Sequence, residues 1–152
     1  MHKSPKALFF VYSYQYKMVK YILMRELAFR LQKGDDLKAC IEDICKNINT
    51  AIVLSGVGSL YHVNIRLAKA IEHLDIEKDY EIVSLTGTIS SGKAHIHISL
   101  ADEKGNVIGG HLQKGCLINT TCEIVLGIME EYSSQRIYDS NTGYDEIKFL
   151  KE

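Results

Sequence analysis

The stretch from Lys93 to Gly115, K-A-H-I-H-I-S-L-A-D-E-K-G-N-V-I-G-G-H-L-Q-K-G, constrains this chain more than any other. Ile96, Ile98 and Leu100 recur every second residue, the period of a strand with one buried face. His95 and His97 hold the opposite parity, so both point away from that core face. Asp102-Glu103-Lys104-Gly105 then suits a type I turn closed by a left-handed glycine, the three-residue hairpin with a bulge. With Glu103 to Gly105 as the loop, Asp102 pairs with Asn106. Counting outward sets His97 opposite His111, and directly opposed residues share a face with Cβ atoms about 5 Å apart. A one-residue slip would send His111 to the other face. The Gly109-Gly110 pair is where such a slip or bulge can enter.

Three imidazoles on rigid strands suit Zn²⁺ or a similar borderline cation, and leave a fourth position for water, a partner's ligand or a substrate. H-x-H alone is a weak signal; with a histidine across a compatible hairpin it is stronger. Hydrogen-bonded strand histidines near an interface account for the same pattern without metal. Metal-bound water becomes a nucleophile near neutral pH, but no carboxylate is clearly placed as its base. Glu81 and Glu123 qualify only as strand residues of unknown position. Catalytic residues cannot be assigned from the sequence, and no cofactor-binding motif is present.

At 152 residues the chain has the length of one domain with a real core. It divides into an N-terminal extension, 1–19, and a domain, 20–152. Met18 is an alternative start, and Leu8 to Tyr16 alternatively reads as an edge strand. The N-terminus lacks the cleavage site of a signal peptide, and no apolar run approaches the ~18 residues of a spanning helix; a cytoplasmic protein is expected. Cys40, Cys45, Cys116 and Cys122 contain no CxxC pair and read as reduced thiols. Net charge is −1, which gives no global attraction to nucleic acid.

In chain order, Lys20 to Leu31 reads as a strand. Asp35 or Asp36 caps a helix from about Leu37 to Asn47, with Leu37, Cys40, Ile41, Ile44, Cys45 and Ile48 on one face. Ala51 to Leu54 reads as a short buried strand. Ser55-Gly56-Val57-Gly58-Ser59 is then either a phosphate loop or a tight turn needing positive φ; the missing G-x-G-x-x-G pattern and lysine favour the turn. Tyr61 to Leu67 is a half-exposed strand with His62, Asn64 and Arg66 on its wet face. His73 falls in a linker. Asp79 to Ile89 and Leu117 to Met129 contain strands, and Arg136 to Ile147 is turn-rich. Many strands and one clear helix give an α+β domain, mainly an antiparallel sheet with the helix packed on it.

Y-E-I-V-S-L-T-G-T-I (Tyr80–Ile89), the His95–Leu112 run and G-C-L-I-N-T-T-C-E-I-V-L (Gly115–Leu126) together resemble the PPC domain, conserved in plants and prokaryotes. S-G-V-G-S-L and the closing R-I-Y-D-S-N-T-G-Y-D-E-I are also similar to that family, and the resemblance spans about Met24 to Leu150. It implies an antiparallel α+β domain assembling as a homotrimer. Stand-alone prokaryotic members are often called DNA-binding proteins, and plant relatives carry AT-hooks and act in transcription. Some prokaryotic members hold zinc on histidines that fall on His95, His97 and His111 here. An AT-hook needs an Arg-Gly-Arg-Pro core; this chain has none, and its one proline is Pro5. The expectation is a zinc-binding homotrimeric domain, with a DNA-associated or regulatory role and DNA or a regulatory protein as partner. The alternative is a zinc-dependent enzyme acting on a small molecule at an intersubunit cleft.

Overall fold

A computed structural model describes residues 24–151. The expectations for the extension, Met18 and Leu8 to Tyr16 lie outside these residues. The elements are β1 (Arg25–Gln32), α1 (Leu37–Ile44), β2 (Thr50–Arg66), β3 (His73–Ser90), β4 (Lys93–Ala101), β5 (Val107–Leu112), β6 (Leu117–Ile128), β7 (Tyr132–Asp139) and β8 (Tyr144–Lys151). A short 3-10 turn, Ala68–Ala70, joins β2 to β3. The class is as expected: antiparallel sheet with, among the described residues, a single α-helix.

Six strands form one antiparallel sheet in the order β1-β6-β2-β3-β4-β5, and the far end of β2 also pairs with β5 through Ile65–Leu112 and Arg66–His111. That pairing closes β2, β3, β4 and β5 on themselves at one end. Closure needs close backbone approach: a Cβ on Gly110 would lie 2.7 Å from the Arg66 carbonyl oxygen. β7 and β8 form a separate hairpin. Buried Ser134 ties it to the sheet: its amide donates to Asn49 Oδ1, and its hydroxyl links Thr50 and Ser90.

Asp36 caps α1, its carboxylate accepting from the Ala39 amide at 2.8 Å. The helix ends at Ile44, three residues before the expected end. Its stripe is also narrower: Leu37, Ile41 and Cys45 are buried, whereas Ile44 is exposed. These three join Ile96, Ile98 and Leu100 of β4 in one core, which confirms the parity that sends the histidines outward. Ile96 is fully enclosed, so Ile96→Ala is expected to cost about 3 kcal/mol. Urea unfolding checks this as a lowered midpoint with unchanged slope.

Three segments differ from the sequence reading. Ser55 to Ser59 is neither turn nor phosphate loop: it lies inside β2, whose 17 residues absorb both expected strands. Gly56 and Gly58 do not take positive φ. They serve close approach instead, because a Cβ on Gly58 would sit 2.4 Å from the Thr121 carbonyl oxygen. Register shifts between Val53 and Ser55 and between Gly58 and Leu60 let the long strand bend while it stays paired with β6. His73 opens β3 rather than lying in a linker. The turn-rich tail is the β7–β8 hairpin, with Gly143 at φ +76 supplying its turn. All four cysteines are free, as expected; burial pushes the Cys45 and Cys116 thiols up to about 11 and Cys122 to about 12. No helix among the described residues is long and apolar enough to cross a membrane.

Candidate metal centre

The turn that fixes the site is held by Asp102. Its carboxylate accepts from the amides of Lys104 and Asn106, both at 2.9 Å, and from Lys78 Nζ at 2.9 Å. The Asp102 amide donates to the Asn106 carbonyl, and Gly105 takes φ +78. Lys78 and then Asn106 hold the Asp102 carboxyl well below the usual carboxylate range. From that turn the ladder runs without a slip: Ala101–Val107, Leu100–Ile108, Ser99–Gly109, Ile98–Gly110, His97–His111. The glycine pair introduces no bulge there.

His97 and His111 are therefore direct partners, and the row continues on both sides. Thr86 of β3 pairs with His97, and Arg66 of β2 pairs with His111. Opposed residues share a face, so Arg66, His111, His97 and Thr86 form one line across four strands. His95, two residues before His97, joins the same face beside Thr88. Ring centroids lie 5.3 Å (His95–His97), 4.9 Å (His95–His111) and 5.6 Å (His97–His111) apart. One nitrogen from each ring falls within 4.8 Å of the others.

The electrostatics suit a cation ligand set. Burial first, then the charges of Lys38 and Arg66, push His111 down to about 4. Burial also lowers His95, helped by Arg136 and His97 and opposed by Glu146. Neutral imidazole is the form that binds metal. His111 Nδ1 is buried and has no hydrogen-bond partner among the described residues, and an orphaned buried nitrogen is costly unless something binds it. These residues fit a borderline divalent ion.

The lowered values make metal-free stability depend on pH. The unfolded chain takes a proton on each imidazole near 6.5, whereas the folded chain resists it at His111 until about 4. Metal-free protein is thus expected to hold its full stability above about pH 6.5 and lose it progressively toward pH 4. Urea unfolding in a chelating buffer across that range checks the direction.

A cleft of about 730 Å³ opens beside the triad, bounded by His97, His111, Arg66, Lys69 and Tyr144. Lys69 and Ala70 take φ +68 and +57, left-handed values that side chains resist. Arg66 lies 5.8 Å over the Tyr144 ring. Neither sequence-suggested carboxylate is here: Glu81 borders a different hollow with Asp79 and Asp102, and Glu123 pairs across to Val57 and Arg30. His62 and His73 also lie apart; His62 is engaged by the Gly115 carbonyl at 2.6 Å and Asp75 at 2.9 Å. Sequence reasoning missed Arg66, Lys69 and Tyr144. Strand parity did place Arg66 on a polar face, but its pairing with His111 is non-local.

Among the described residues, an antiparallel sheet with one helix and three imidazoles converging on the face away from the core defines a small β-rich domain with a metal-type donor set. Residues 19–130 match the Plants and Prokaryotes Conserved (PCC) domain, and the chain belongs to that family. A Synechococcus sp. (strain JA-3-3Ab) protein, "Bifunctional protein GlmU", is 39% identical over 130 residues, 84% of this chain but 21% of that protein. The chain thus spans about a fifth of the length of that curated relative. A hypothetical protein from Salmonella cholerae-suis superposes with TM-score 0.82 at 27% identity, covering 88% of this chain and 98% of that one. A plant- and prokaryote-conserved (PPC) protein from Pyrococcus horikoshii gives TM-score 0.70 at 31% identity, over 89% and 100% of the two chains. The metal-containing protein AF0104 from Archaeoglobus fulgidus gives 0.68 at 26%, over 88% and 99%.

Proposed function

We propose that this chain is a metal-binding module that holds one zinc ion on His95, His97 and His111, and that it works as a homotrimer in a regulatory role. One observation carries the metal reading: the three imidazoles converge on one face, each with a nitrogen within 4.8 Å of the others. The metal content of the Archaeoglobus relative supports it. The trimer rests on the family resemblance, and contact with DNA or a regulatory protein would use a surface that the assembled trimer presents. Metal analysis of the purified full chain is the test. About one zinc per chain is expected for wild type and less than about a tenth of that for His97→Ala. Wild type free of stoichiometric metal after zinc loading and desalting would overturn the reading, leaving three structural histidines.

The cleft beside the triad favours a second reading, a zinc-dependent enzyme acting on a small molecule. When bound, zinc would supply a Lewis acid next to that space. This chain's residues would bind and orient the substrate there, with Arg66 and Tyr144 on one wall. Among the described residues no Asp or Glu lines the cleft, so a general base would come from Tyr144 or a neighbouring subunit.

A further inference from the structure

We propose that the cleft beside the histidines is a binding site for a small organic oxyanion, a carboxylate or phosphate, gripped by Arg66 and Lys69 and covered by Tyr144. The inference deepens the metal reading by naming the ligand class of the same site. Its shape is that of a small-molecule site: about 730 Å³ is in the range such pockets occupy. Gly109 and Gly110 line its floor without side chains, so a ligand can lie against the β5 backbone next to His97 and His111.

Its charge selects the ligand. Arg66 projects from the strand position paired with His111, and Lys69 lines the same space. Lys38 and Arg136 add positive charge felt at the imidazoles. The acidic groups facing this cluster are Glu146, felt at His95, and Glu42, felt at Lys38. Among the described residues Arg66 has no carboxylate partner; its neighbour is the Tyr144 ring, 5.8 Å away. A guanidinium held over a ring keeps its donor edge free for a bidentate oxyanion. The half-exposed ring leaves an apolar surface for the ligand's carbon skeleton. A metal on the three histidines would place a second positive centre beside the bound anion.

Calorimetric titration of the full chain with inorganic phosphate, and separately with malonate, tests this at about 100 mM salt. Zinc-loaded and chelator-treated protein are both used. Arg66→Ala is expected to weaken the preferred anion at least 10-fold in both forms, with Arg66→Lys intermediate. Arg25→Ala, whose guanidinium pairs with Glu130 at 2.9 Å away from the cleft, should match wild type. The tighter of the two probes tells phosphate from carboxylate. Arg66-dependent binding in protein that takes up no zinc would sink the metal reading and keep the anion site. Zinc uptake with anion affinity indifferent to Arg66, or with neither probe binding, would sink the anion site alone. So would Arg66-dependent binding of duplex DNA with a steep salt dependence and none of phosphate or malonate, which would assign the basic wall to a nucleic-acid backbone.

Discussion

Zinc at about a thousandfold excess over its dissociation constant should stabilise the wild-type chain by about 4 kcal/mol, because only the folded chain brings the three imidazoles together. For a domain of this size that raises the melting temperature by about 10 °C. In His111→Ala the rise should vanish. His111 is the proposed ligand whose position depends on the β5–β2 closure, and its Nδ1 is buried without a hydrogen-bond partner among the described residues. The metal-free variant should melt within a few degrees of metal-free wild type, since the lost ring carries an unmet nitrogen as well as packing. Differential scanning calorimetry with and without chelator measures both arms. An equal zinc-induced rise in wild type and variant would place the ion elsewhere.

The second large effect is expected at Gly58. A Cβ there meets the Thr121 carbonyl oxygen at 2.4 Å and Cys122 Cα at 2.6 Å, both backbone atoms that cannot turn aside. Gly58→Ala must therefore push β2 from β6, and about 3 kcal/mol or more of stability should be lost, at the upper end for overpacking. Gly105→Ala is the comparison. Gly105 has φ +78 but open space around it, so the loss should be about 1 kcal/mol, the cost of a left-handed side chain. Urea midpoints of the two variants give the ranking. Equal losses would mean that β2 and β6 accommodate the added methyl without separating.

The contrast between these glycines marks where sequence reasoning stops. Gly105 was legible because its role is local: an acid-started turn of four residues needs a left-handed closing position. Gly58 was not, because the atoms that exclude its side chain belong to β6, more than sixty residues on. The same division runs through the site. The alternation of Ile96, Ile98 and Leu100 set the outward face, and the turn chemistry set the partner of His97. Arg66, Lys69 and Tyr144 arrive from β2, its following turn and β8, through pairings that no local pattern announces.

The sequence by itself determined the hairpin, its register and the three-histidine cluster, since turn geometry and a period of two act over neighbouring residues. It also determined the antiparallel character of the domain and the capped helix. Only the tertiary structure decided that Ser55 to Ser59 continues a strand, that the tail forms a hairpin over the site, and that β2 closes against β5. Those outcomes depend on which backbones can approach each other, and that is settled by packing across the whole sheet. The hairpin supplies the imidazoles; the closure supplies the basic wall beside them.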